Sequence, residues 1–132
     1  EGDDLINAGA GNDILSGGSG NNILNGDLGA DTFLFLKSTI SGHDTITDYN
    51  NAENDRLDIS DLLVGSGYTP GVSSVDSFIK IDQTSGQVFV DKTGGGHFDA
   101  TNMVATINGA SSLDTVNVIL NDSEGVRTVH TV

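Results

Sequence analysis

The stretch that decides the fold is GAGNDILSGGSGNNILNGDLGADTFLF, from Gly9 to Phe35. Glycine recurs nine residues apart at Gly2, Gly11, Gly20 and Gly29. Two residues after each comes Asp4, Asp13, Asn22 or Asp31, and two further on Ile6, Leu15, Leu24 or Phe33. Three columns in phase over four units mark an internal repeat, which outranks other signals in setting a fold. "GGSGNN" is too rich in glycine for helix or strand and reads as a turn. The "ILN" after it is a very short strand with one apolar residue pointing inward. One unit cannot bury that residue alone, whereas stacked units form a coil around a narrow aliphatic core. Stacking also sets acidic turns above one another, where carboxylates repel unless a cation lies between them.

The units resemble the RTX nonapeptide G-G-x-G-x-D-x-U-x. The resemblance implies a parallel β-roll with two units per coil and Ca²⁺ between turns two units apart. It implies ligation by Asp carboxylates and turn carbonyls, with Asp4 paired to Asn22 and Asp13 to Asp31. It also implies backbone ligands from Gly2, from Ala8, Gly9, Ala10 and Gly11, from Gly17, Gly18, Ser19 and Gly20, and from Gly26, Leu28 and Gly29. Three departures stand out. Ala8 replaces the first glycine of its unit, and Asp27 replaces the second glycine of the last, where Asp tolerates left-handed backbone better than most residues. Asn22 puts a neutral oxygen in the carboxylate column, which weakens the charge yet leaves a ligand.

Past the regular run, "SGHDTITDY" keeps the frame, with Gly42, Asp44 and Ile46 at the same two-residue steps. Gly42 follows Gly29 by 13 residues, so it reads as a fifth turn reached through a four-residue insertion. Asp44 then lies over the turn carrying Asn22 and becomes a candidate ligand, and Asp48 is a further candidate. Asp55, Asp58 and Asp61 lack the glycine and distal Glu of an EF-hand loop and read as turn and cap residues. Phe33 and Phe35 alternate, which predicts entry into ordinary strand. Leu57 and Ile59 predict a strand, and "SDLL" a single helical turn capped by Ser60. "SFIKIDQTSGQVFVDKT" predicts a hairpin turning at Thr84-Ser85-Gly86. "NMVATING" predicts a strand. The last segment predicts a terminal hairpin through the turn "NDSEG", or instead a short helix from Ser112 with Leu113, Val116 and Leu120 on its face.

Composition narrows the function. The net charge is −14, with 16 Asp against 3 Glu. Such a surface argues against nucleic acid and anionic membranes, and short carboxylates suit turns and ion cages. Cysteine is absent, so no disulfide or thiolate metal site exists. No apolar run approaches a membrane span. The chain opens on Glu1 in mid-pattern, which predicts a longer parent. His43, His97 and His130 are far apart in sequence and form no H-E-x-x-H motif. With no G-x-S-x-G elbow or P-loop either, no enzyme active site is expected.

"DTITDYNNAENDRLDISDLL" resembles the stretch after RTX repeats at the C-terminal end of large type I-secreted proteins. The resemblance implies an uncleaved secretion signal in the last several dozen residues. The expected partners are the ABC transporter, membrane fusion protein and outer-membrane channel of a Gram-negative bacterium. The expectation is an all-β chain: a short parallel β-roll over residues 1–46, capped by an antiparallel β region over 47–132. Its expected role is Ca²⁺-dependent folding and export, holding two to four Ca²⁺ ions. It would act as a monomer at the end of a secreted or cell-surface RTX adhesin serving cell adhesion and biofilm. The alternative is a Ca²⁺- and polysaccharide-binding module of an extracellular protease, lipase or epimerase.

Overall fold

A computed structural model describes residues 1–39, 41–121 and 125–132. The nonapeptide beat becomes a run of very short strands: β1 (Leu5–Asn7), β2 (Ile14–Leu15), β3 (Ile23–Asn25) and β4 (Thr32–Leu34). The strands alternate between two sheets, because each glycine turn reverses the chain across the roll. β1 pairs in parallel with β3, matching Ile6 to Leu24, and β2 with β4, matching Leu15 to Phe33. A residue therefore meets its equivalent two units later, and the apolar column becomes a continuous buried line. Leu24 and Phe33 are fully buried.

The fifth turn is present. β5 (Asp44–Ile46) pairs in parallel with β3, placing Ile46 beside Leu24, so the insertion is absorbed before the turn and the frame is kept. The ladder also continues past residue 46, the expected edge of the roll. β6 (Arg56–Asp58) pairs in parallel with β4, setting Leu57 beside Phe33. β4 is thus a roll strand, and Phe35 continues its pairing by donating its N–H to the Asp58 carbonyl.

The rest of the chain lengthens the same two sheets. β7 (Ile79–Ile81) and β8 (Gln87–Val90) form the expected hairpin, and β9 (Met103–Ile107) joins β8 antiparallel and β5 in parallel. β10 (Thr115–Ile119) joins β6 in parallel and β11 (Val126–His130) antiparallel. The strand orders are β1-β3-β5-β9-β8-β7 and β11-β10-β6-β4-β2. The antiparallel region is therefore continuous with the roll, and hydrogen bonding covers the roll's C-terminal end. The helical alternative near Ser112 reduces to one 3-10 turn, Ala110–Ser112, before β10. The "SDLL" turn is the 3-10 turn Asp61–Leu63, with Ser60 in position but making no side-chain cap. The turn "NDSEG" lies partly outside the described residues. One core runs the length of the molecule, from Leu15 and Leu24 through Ile46, Leu57, Ile81 and Ile107 to Val118 and Leu120.

Candidate metal centre

The turns stack in two columns, one on each side of the roll. On the first side Asp4, Asn22 and Asp44 lie above one another. Asn22 Oδ1 accepts the Asp4 N–H at 3.0 Å, and Asp44 Oδ1 accepts the Asn22 N–H at 3.2 Å. Asn22 also donates its Nδ2 to Asp44 Oδ1 at 2.7 Å. On the second side Asp31 Oδ1 accepts the Asp13 N–H at 2.9 Å, and Asp55 Oδ1 accepts the Asp31 N–H at 2.9 Å. Both expected pairs thus meet, and Asp44 reaches the Asn22 column.

The glycines let the turns approach. A Cβ on Gly20 would overlap the Gly2 carbonyl, and one on Gly29 the Gly11 carbonyl. Gly42 bears the same relation to Gly20, which is further evidence that residues 41–44 form a true turn of the stack. Gly17 and Gly26 lie against the Asn22 and Asp31 side chains of their own turns, leaving those side chains room to fold inward. Asp27 takes the left-handed backbone expected of it, at φ 71°. Asp48 stands over the turn below, accepting the N–H groups of Gly26 and Asp27. Ala8 and Gly11 donate backbone N–H groups to the Asn25 and Leu28 carbonyls of the adjacent coil. The remaining expected backbone positions, Gly9, Ala10, Gly18 and Ser19, lie in the same turns, and Ser19 bridges Ser41 in parallel.

Two sets of residues are not read as part of the stack from the sequence. Asp55 completes the Asp13–Asp31 column. Asp3, Asn12 and Asn21 form a second polar row: their Oδ1 atoms accept N–H groups of Asn21, Ala30 and His43 in the next coil, at 2.8–3.0 Å. The signal for this row was present, since a short polar side chain follows each repeat glycine at Gly2, Gly11 and Gly20.

The electrostatics fit a hard cation. Asp31 is fully buried, and its Oδ2 has no hydrogen-bond partner among the described residues. A buried carboxylate oxygen left unpaired is costly. Burial pushes the Asp44 carboxyl above its ordinary value, against the two hydrogen bonds from Asn22 and the nearby His43. Burial does the same to Asp55; hydrogen bonds from Asp31 and Asn50 oppose the shift, and the Asp31 and Asp48 carboxylates add to it. The donors are carboxylate, amide and carbonyl oxygens, the set that Ca²⁺ prefers. Among the described residues no three His, Asp or Glu side chains converge on one point as a metal site, so backbone carbonyls would complete any coordination shell.

These features define a class: a parallel β-roll with acidic, glycine-gated turns stacked in register. Residues 1–33 match the family model of the RTX calcium-binding nonapeptide repeat (4 copies). No curated protein sequence matches the chain. Among solved structures, the crystal structure of the C-terminal domain (RV) of MpAFP is similar over 99% of this chain and 95% of that one, with 23% identity and a TM-score of 0.53. The solution structure of the AlgE6R3 subunit from the Azotobacter vinelandii mannuronan C5-epimerase covers 91% of this chain and 79% of that one, with 23% identity and a TM-score of 0.40. The first of these likenesses supports the all-β fold.

Proposed function

We propose that the chain is a Ca²⁺-dependent folding and export module, the C-terminal secretion-signal domain of a large type I-secreted surface protein of the RTX adhesin kind. The observation that carries this reading is the stack of carboxylates held in register, with a buried Asp31 oxygen that nothing among the described residues satisfies. When bound, Ca²⁺ supplies the positive charge that such a stack lacks. Asp4, Asn22 and Asp44 would hold it on one side, and Asp13 and Asp31 on the other, with the turn carbonyls. Without it, these carboxylates repel and glycine entropy opposes order, leaving a loose chain fit to thread through a secretion channel. Outside a cell Ca²⁺ is near millimolar, and extracellular sites commonly have a Kd of about 10⁻⁴–10⁻³ M. Each occupied site would then stabilise the folded chain by roughly 1 kcal/mol, and several sites would make folding steep in Ca²⁺.

The test is a circular dichroism titration from EGTA into Ca²⁺. The expected outcome is a cooperative gain of β signal between micromolar and millimolar Ca²⁺. A β signal that stays constant throughout would sink the reading. A second reading, a polysaccharide-binding module of an extracellular enzyme, draws support from a groove of about 440 Å³. Its lining includes Ser41, His43, Lys92, Thr93 and Asn102, side chains suited to hydrogen-bonding hydroxyl groups. Retention on immobilised acidic and neutral polysaccharides in Ca²⁺ would favour it over the export reading.

A further inference from the structure

Residues 64–74 join the 3-10 turn Asp61–Leu63 to the 3-10 turn Val75–Ser77 without entering either sheet. The bonds of this loop are local. Ser66 donates its N–H to the Leu63 carbonyl, and Val72 and Ser73 donate theirs to the Thr69 carbonyl. A Cβ on Gly65, Gly67 or Gly71 would meet open space among the described residues, so the backbone there can be approached. Tyr68 packs edge-on to Phe78, with ring centroids 5.3 Å apart, and anchors the loop short of Val72.

Val72 is 82% exposed, more than any other large hydrophobic residue among those described. The other exposed aliphatic residues are tied down. Leu5, Ile14, Ile23 and Val126 lie in strands, and Val132 donates its N–H to the Ile81 carbonyl. The Leu28 carbonyl accepts the Gly11 N–H, and the Val64 carbonyl accepts Lys37 Nζ at 3.1 Å. A protease must draw an extended segment into its cleft, which ladder bonds resist and local turns allow.

The second observation is where the loop falls in the topology. Strands β1 to β6 precede it and β7 to β11 follow it, and each sheet crosses that divide once. In one sheet β5 meets β9, with Ile46 beside Ile107; in the other β6 meets β10, with Leu57 beside Val118. All four side chains are buried. Polar bonds reinforce this seam. The Tyr49 hydroxyl accepts the Asn117 N–H at 2.8 Å, and Asn51 Nδ2 donates to Thr115 Oγ1 at 3.1 Å. The Asn108 N–H donates to the Ile46 carbonyl at 2.9 Å. The part after the loop therefore seats on the roll as a further coil would, through ladder and core rather than through the loop.

We propose that residues 64–74 are a processing site, cut between Val72 and Ser73 by an endoprotease whose pocket takes small aliphatic side chains. The product stays one particle made of two chains, 1–72 and 73–132. Water adds across the amide bond, leaving a carboxylate on Val72 and an ammonium on Ser73. The exposure of Val72 lets water solvate the new charges, so the cut does not itself drive the halves apart. The inference rests on the loop and the seam, and neither uses a metal.

The experiment treats the full chain, in millimolar Ca²⁺, with a limiting amount of elastase. Mass spectrometry of the denatured digest is expected to find 1–72 and 73–132 as the first products. Native size-exclusion chromatography is expected to return them together at the elution volume of the uncut chain, with the β signal in circular dichroism unchanged. Val72→Asp, a change on an open surface, is expected to slow the cut roughly tenfold or more, since an apolar pocket excludes a charge. A first cut at any other bond, an unchanged rate in Val72→Asp, or halves that separate on native sizing overturns the proposal.

Discussion

At the scale of the residue, Asn22 changes meaning once its neighbours are known. It sits between Asp4 and Asp44 and donates its amide to Asp44, so in the ion-free chain it replaces one repulsion with a hydrogen bond. Asn22→Asp is therefore expected to lower stability in EGTA by about 1–2 kcal/mol. In Ca²⁺ the same substitution is expected to tighten binding, because it adds a charged ligand. Paired urea denaturation in the two conditions, with a calorimetric titration, checks this sign reversal. Gly29 gives a second test. It has φ 136° and lies against the Gly11 carbonyl, whereas Gly9, at φ 95°, faces open space. Gly29→Ala is expected to cost about 3 kcal/mol or more through strain and overlap, and Gly9→Ala about 1 kcal/mol through strain alone. Asp55 shows where sequence ran out. Its distance from Asp31 fits no nine-residue step, and its spacing to Asp58 and Asp61 drew attention to a local motif. Only the pairing of Arg56 with Thr32 places it in the column.

At the scale of the element, the strands are too short to be stable alone and draw their order from the coil on either side. The inward residue of each is the main contributor. Leu24, fully buried between Ile6 and Ile46, is expected to cost about 3 kcal/mol when changed to Ala, measured by chemical denaturation in Ca²⁺. The five strands β1 to β5 were legible because the glycine, carboxylate and apolar columns each encode a different physical demand in one frame. β6 was legible as a strand from Leu57 and Ile59 but not as a roll strand, because the turn before it has lost its glycines. The parallel docking of β9 on β5 and β10 on β6 was not legible at all. Alternation marks a strand and its buried face, and says nothing of which edge it meets. The loop after β8 is held by a different device. Asp91, 3% exposed, accepts the Thr93 N–H and hydroxyl and the His97 N–H. The Thr93 hydroxyl and the two N–H bonds hold its carboxyl down to about 2, from 3.8. The ionised form therefore stabilises this loop above about pH 4, and the contribution is lost as pH falls from 3.8 towards 2. Asp91→Asn is expected to abolish that dependence, read as hydrogen exchange at the Thr93 and His97 amides.

At the scale of the whole molecule, a net charge of −14 on 132 residues sets the conditions under which the fold holds. Neighbouring turns carry like charge on both sides, and five Lys and Arg cannot offset 19 acidic residues. Raising monovalent salt is expected to help the ion-free chain only partly, because screening reaches exposed carboxylates but not buried ones such as Asp31, Asp44 and Asp55. A melting series in NaCl and in Ca²⁺ at matched ionic strength separates the two effects. The strand order has a mechanical consequence. The first coil, with Glu1, lies at one end of both sheets, and β7 and β11 lie at the other, where the Val132 N–H is tied to the Ile81 carbonyl. Tension between the termini therefore acts along the roll axis, across the strands, and peels the coils off one after another. In single-molecule pulling, each coil should yield as a small separate step at low force, and a turn gripping a divalent ion should yield as a taller one.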